Sequence, residues 1–316
     1  FMMPTLFFIS GYLTPMALDN KNGWAFLKSK FKRLVIPWIV AVLTLIPLYK
    51  MIYLYSRNLP QESWTTYFHF SKESISNQNW LWFLPVLFLF NILYLLFSKA
   101  NIKIPQISLK GAVWGTFLIG LFTSVIVGGI VGFRSWTKTP LIDFENDRLL
   151  LYFMIFLLGS LSFRQKAFEE KPQSIALYIV ASSTAWIPIT VHIFARLLPF
   201  IAPDLLISPL AYRLLYWSSF YLSLLCLLYL MIETFWRYFD RTSKIWSELN
   251  RNSYGVYIIH VIVLGVIALL LLNSAMPSLL KYLTLAGSTY LVCNLIISLY
   301  LRAVTRIKAI GQPQVS

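Results

Sequence analysis

Long apolar runs alternate with short polar gaps along nearly the whole chain. A helix that crosses a bilayer needs roughly 20 mostly apolar residues. By that measure the pattern predicts about nine spans, at 1–18, 34–55, 79–98, 111–132, 148–163, 173–197, 209–235, 253–273 and 278–304. The expected fold class is all-α, a polytopic membrane helix bundle. It forms one integral membrane domain over 1–310, followed by a cytoplasmic tail at 311–316. Pro188 falls inside a span and predicts a kink there.

The gaps carry the charge unevenly. Alternate gaps hold Lys21, Lys28, Lys30, Lys32 and Arg33; then Lys99, Lys103 and Lys110; then Arg164, Lys166 and Lys171; then Arg237, Arg241, Lys244 and Arg251; and the tail adds Arg302, Arg306 and Lys308. The intervening gaps are poorer in Lys and Arg, and cytoplasmic loops retain the excess. Phe1 is therefore expected outside and Ser316 inside. Hydrophobic residues make up 58% of the chain and charged ones 12%, which excludes an ordinary soluble domain. The net charge of +15 is explained by this placement, so no nucleic acid partner is expected; the bilayer itself is. Cys226 and Cys293 lie in apolar runs and read as small buried hydrophobes.

Few residues offer chemistry. Lys28, Lys30, Lys32 and Arg33 gather at the start of the second span. Such a cluster anchors topology and attracts anionic headgroups, and it equally suits the phosphates of a donor made in the cytoplasm. Counted from Ser253, His260 lies about seven residues into its span, roughly 10 Å along a helix. Ionisable groups at such depth face the bundle interior or a water-filled cavity. Both a neutral histidine bonded to a neighbouring helix and a proton-relay or donor-site role fit. Tyr257, three residues earlier, shares its face. Ser10 and Gly11 interrupt the first span, as small residues do where helices pack closely; a nucleophilic Ser10 would need a base that the nearby sequence lacks. Arg213 either snorkels to the interface or faces an acceptor path. Glu233 and Arg237 read as a helix ion pair. His192 and Arg196 read as interface residues near a helix end, and His69 lies in a gap without an identifiable partner. No metal-ligand spacing and no glycine-rich phosphate loop occur, so no metal is expected.

Three blocks in order also resemble a known family. They are MP-x-x-FFISGYL with the basic segment and KRLVIPW (Met3–Trp38), WLWFLPVLFLF (Trp80–Phe90) and LNRNSYGVYIIH (Leu249–His260). This wording resembles acyltransferase family 3, integral membrane enzymes that acylate sugars and other acceptors. The resemblance implies an acyl group, most often acetyl, passed from an acyl-CoA donor (acetyl-CoA first among them) to a hydroxyl of a carbohydrate or lipid-linked glycan in a bacterial or archaeal plasma membrane. It implies O-acetylation in polysaccharide modification. Where the family carries Arg-x-x-Arg, this chain has Lys30-Phe31-Lys32-Arg33. Lysine holds phosphate as a point charge without the guanidinium's fork. Lys30 and Arg33, helped by Lys28 and Lys32, are then the expected donor-binding residues, with His260, Tyr257, Trp82, Ser10 and Arg213 along the substrate path and His260 the catalytic candidate. The family also has a helix before this hairpin with an essential His. Ten spans are expected with it, Ser10 is expected to pack beside it, and the chain as written is expected to be inactive without it. The rival readings are a transporter or flippase for a lipid-linked sugar, and a non-catalytic subunit of polysaccharide export. Transporters commonly show internal repeats, and this chain shows none.

Overall fold

The computed structural model describes residues 2–68, 78–100, 107–130, 135–139, 141–146, 148–168, 175–202, 208–239 and 243–310. His69 and the expected tail at 311–316 lie outside the described residues. The elements run α1 (Met2–Asp19), α2 (Gly23–Lys30), a π-helical turn (Phe31–Val35), α3 (Ile36–Ser56), α4 (Phe83–Lys99), α5 (Leu109–Ile130), β1 (Trp136–Lys138), β2 (Asp143–Glu145), α6 (Leu149–Arg164), α7 (Ile175–Thr184), α8 (Trp186–Ile201), α9 (Pro209–Tyr238), α10 (Lys244–Leu271) and α11 (Ser278–Ile310). Short 3₁₀ turns at Trp64–Phe68 and Asn79–Trp82 complete the described helical structure. Seven helical segments are long and apolar enough to cross a membrane, among them the continuous Gly23–Ser56 and Ile175–Ile201; α6 is a shorter apolar helix, and α1 is an apolar helix of 18 residues. The fold is all-α and multi-pass, and these nine segments coincide with the nine predicted runs.

Local chemistry sets several of the ends. Asn22 caps α2 by accepting from the Ala25 N–H at 2.8 Å, and Ser208 caps α9 from Ala211 with Pro209 in the first turn. The basic segment fills the gap before the second predicted span. It is helical and runs through the π turn into α3. Pro37 has no N–H for the Arg33 carbonyl four residues back, and its ring crowds that carbonyl, so the regular ladder opens at this turn. The long run at 173–197 is two helices, with the break at Ala185. Pro188 sits in the first turn of α8, where its missing N–H costs no helical hydrogen bond. The gap before α6 carries an unforeseen antiparallel hairpin, with Trp136 opposite Glu145 and Lys138 opposite Asp143.

The chain divides into two units: 1–35, 84–138 and 142–240; and 36–83, 139–141 and 241–316. The first unit has its core between α1, α6, α8 and α9, with Phe8, Ile155, Ala195 and Trp217 buried together. Here α1 and α6 approach backbone to backbone. A Cβ on Gly11 would strike the Phe156 carbonyl, and one on Gly159 the Phe8 carbonyl. Close packing through Gly11 is therefore real, and it is made with α6. Gly159 supplies the matching gap, which the sequence around Gly11 does not reveal. Thr14 adds its hydroxyl to the Ser10 carbonyl at 2.7 Å and to Asn91 Oδ1 of α4 at 3.2 Å.

The second unit is built from α3, α10, α11 and the Asn79–Phe83 segment. Its α10 and α11 are pinned near their basic ends by a polar chain. Asn252 Nδ2 donates to Ser298 Oγ at 2.7 Å, Ser298 donates to Glu248 Oε1 at 2.8 Å, and Arg302 reaches the same oxygen at 3.1 Å. At the far end of α3, buried Lys50 pairs with Glu62 at 2.6 Å and lies over the Tyr67 ring at 5.6 Å. The Lys50 hydrogen bond, followed by one from Thr66, holds the Glu62 carboxyl below the usual carboxylate range. Gln61 bridges the Tyr67 hydroxyl and the Met51 carbonyl, at 3.0 and 3.3 Å. The segment after α3 is thus strapped back onto that helix.

Candidate active site

In the second unit two of the resembling blocks meet. Trp80 Nε1 donates to the Ile258 carbonyl at 3.0 Å, and the Tyr257 hydroxyl donates to the Trp80 carbonyl. The Tyr257 ring stands edge-on to Phe83 at 5.8 Å, and Tyr49 stands edge-on to Trp80 at 5.6 Å. This reciprocal pair joins residues 178 positions apart in sequence and locks one turn of α10. Trp82 is buried in the same segment. On that locked turn the His260 Nδ1 lies 2.7 Å from the Tyr257 carbonyl. A carbonyl oxygen only accepts, so Nδ1 is the donor in this contact. The His260 and Tyr257 rings are 6.0 Å apart on one face, as their spacing predicts.

His260 ends a cleft of about 340 Å³ between α10 and α11. Trp246, Asn250, Ser253, Tyr257 and His260 line one wall. Their intervals of four and three residues keep them on one helix face, and the stripe extends roughly 21 Å. Tyr290 and Asn294 of α11 line the other wall.

In the first unit, α2 and the π turn carry Lys28, Lys30, Lys32 and Arg33. Lys28, Lys32 and Arg33 are exposed, and Lys30 is half-buried with its ammonium 5.3 Å over the Phe26 ring. Lys30 stands in the field of Arg33 and Lys21, while Lys21 reaches Ser29 Oγ at 3.2 Å. Lys99 of α4 lies beside Gly23. The fold thus adds two cations, from the turn before α2 and from α4, to the four expected. Phe31 packs edge-on to Phe88 of α4 at 5.9 Å and steadies the turn.

The remaining candidates are spread through the first unit. Ser10 is half-buried, and its hydroxyl makes no hydrogen bond among the described residues. The Arg213 guanidinium lies against Gly129 of α5. Glu233 and Arg237 pair at 2.5 Å, with Arg237 over the Tyr178 ring at 5.3 Å. His192 is half-buried on α8. It packs against the Tyr216 and Phe220 rings at 4.7 and 5.5 Å, with Nδ1 3.2 Å from the Tyr216 carbonyl and 3.3 Å from Ser219 Oγ. Sequence reading also passed over Asn294 and Trp246 in the cleft and Lys50 in α3. A polar Asn in an apolar run was the available signal for the first.

A family profile, described as an acyltransferase domain, matches residues 1–298. No curated protein and no solved structure gives a significant match. The profile spans the basic helix, both interlocked blocks and all but the last turns of α11, so the chain belongs to acyltransferase family 3 and is a multi-pass membrane acyltransferase.

Proposed function

We propose that the protein transfers an acyl group, acetyl in the first instance, from a coenzyme A thioester to a hydroxyl of a carbohydrate or lipid-linked glycan. The basic ends of the helices face the cytoplasm in this reading, and Lys28, Lys30, Lys32 and Arg33 hold the donor's phosphates. The observation that carries it is the cation-bearing helix α2 with its π turn at the head of a membrane span. Ammonium and guanidinium groups there are within reach of a water-soluble donor, and charge-assisted bonds to phosphate are the strong ones. Turns of this π type recur at functional sites. In this reading Trp82, Tyr257 and His260 of the second unit serve acyl transfer, and Ser10 and Arg213 of the first unit serve substrate binding.

The test is equilibrium binding of acetyl-coenzyme A to the protein in zwitterionic nanodiscs, followed by transfer of labelled acetyl to a glycan-lipid extract. Lys30→Ala with Arg33→Ala is expected to weaken donor binding roughly tenfold or more. Unchanged binding in the double variant, or reporter fusions that place residues 28–33 on the external face, overturns the donor assignment.

A further inference from the structure

Lys50 is the only charged residue of α3, and it lies on the buried face of that helix with Ile46 and Leu54. An ionisable group inside a membrane span is costly and has to be met by a partner. Here the partner comes from the strap rather than from a neighbouring helix. It is Glu62, at 2.6 Å, on a segment that is itself exposed. Asn58 turns the chain back in a left-handed conformation, with φ 53°, which asparagine tolerates. Between Arg57 and Thr66 every residue whose burial is described is exposed. Beyond the turn, three described contacts return the strap to α3: the Lys50–Glu62 pair, the long Gln61–Met51 bond of 3.3 Å, and the Tyr67 ring buried beneath the Lys50 ammonium.

Were Glu62 to leave, Lys50 would stand as an uncompensated charge in an apolar helix, which is what makes a broken buried pair so costly. The second unit has no carboxylate in reserve among its described residues. The other one there, Glu248, is engaged by Ser298 and Arg302. An open strap therefore needs an anion from outside the chain, and such an anion shifts the balance towards the open state. Arg57 stands where it would enter. It follows the last residue of α3, seven positions after Lys50 and so on the same side, roughly 10 Å farther along. Its guanidinium lies 4.8 Å over the Tyr53 ring and makes no ion pair among the described residues. An arriving anion meets the Arg57 fork first and the Lys50 ammonium second. Phosphate suits the two better than carboxylate, because its several oxygens can accept from a forked guanidinium and from a point-like ammonium.

We propose that Lys50 is a phosphate-binding site which Glu62 occupies in the resting protein, so that the strap opens when a phosphate group displaces the carboxylate. The phosphate belongs either to a lipid headgroup or to a soluble ligand. Only ion pairs are exchanged, and no covalent bond forms or breaks. Neither the donor nor the acceptor of the acyl-transfer reading enters this exchange.

The test uses the full chain in phosphatidylcholine nanodiscs, with hydrogen–deuterium exchange at the amides between residues 59 and 66 reporting the strap. Two probes stand for the two sources of phosphate: phosphatidylglycerol mixed into the disc, and inorganic phosphate in the buffer. Sodium chloride at matched ionic strength is the control. At least one probe is expected to speed exchange about threefold or more. A response to phosphatidylglycerol assigns a lipid headgroup, and a response to inorganic phosphate a soluble ligand. Lys50→Met should abolish the response. Glu62→Gln should exchange fast without any probe and bind the active probe roughly tenfold more tightly. Arg57→Ala should weaken probe binding while leaving the strap closed in its absence. No acceleration by either probe, or equal acceleration by chloride, makes Lys50–Glu62 a structural pair only and overturns the proposal, as does unchanged probe affinity in Glu62→Gln. Should Lys50→Met fail to fold, the Glu62→Gln comparison decides.

Discussion

The pair α1–α6 and the pair α10–α11 solve opposite problems. The first brings backbone onto backbone through Gly11 and Gly159, surrounds the contact with buried Phe7, Phe8 and Tyr152, and stacks Phe7 on Tyr152 at 5.0 Å. The second is pinned near one end by Asn252, Ser298 and Glu248 and elsewhere leaves a cleft and an unpartnered amide oxygen. Buried polar atoms in folded proteins are nearly always satisfied, so an orphan marks either strain or an absent partner. Among the described residues the first pair shows no such orphan, whereas the second shows Asn252 Oδ1, Thr289 Oγ1 and Asn294 Oδ1. Stability and function should therefore respond to mutation in opposite senses at the two places.

The largest effect should come from closing the tight pair. Gly11→Leu pushes a side chain into the Phe156 backbone, where no flexible atom can yield. It is expected to cost at or beyond about 3 kcal/mol, the upper end for overpacking. Thermal unfolding followed by size-exclusion should show aggregated protein, and a wild-type profile would refute the packing account. Next in size is Trp80→Phe. It removes the donor to Ile258 and is expected to lower acyl transfer roughly tenfold by loosening the turn that orients His260, with Km for the donor unchanged. Equal loss in a control such as Trp24→Phe, an exposed ring of the first unit, would count against the locking role.

Asn294→Leu sharpens the comparison most directly. Replacing an unpartnered buried acceptor with an apolar group of similar size should leave thermal stability unchanged or raise it by up to about 1 kcal/mol. A loss of stability would make Asn294 part of the packing after all. The smallest effect belongs to the strap beyond α3. Because the folded Glu62 carboxyl is held below its usual range, chiefly by Lys50, its contribution is present above the unfolded carboxylate pKa of about 4.3 and is lost as pH falls through the lower folded value. Protease nicking within residues 57–63 should rise below about pH 4, and Glu62→Gln should show the same nicking at neutral pH.

What could be read from the chain was local. The apolar run lengths located the seven described segments that are long and apolar enough to cross a membrane, and the apolar helices α1 and α6 beside them, because the bilayer's thickness fixes how long such a run must be. The i, i+3 spacing put Tyr257 and His260 on one face, and Pro188 marked the run that breaks into two helices. The positions of Lys30 and Arg33 at the head of a span, and the wording of three blocks, pointed to the family before any fold was known.

The partners of those residues were decided by tertiary structure. Nothing within a turn of Gly11 indicates that Gly159 will face it, nor does anything near Trp80 name the Ile258 carbonyl. The same holds for Lys50 with Glu62 and for His192 among Tyr216, Phe220 and Ser219. Helical periodicity and capping act over four or five residues, so they are legible in sequence. Which apolar face meets which depends on the complementary shapes of whole helices, and only their packing determines that Asn294 of α11 and His260 of α10 line one cleft.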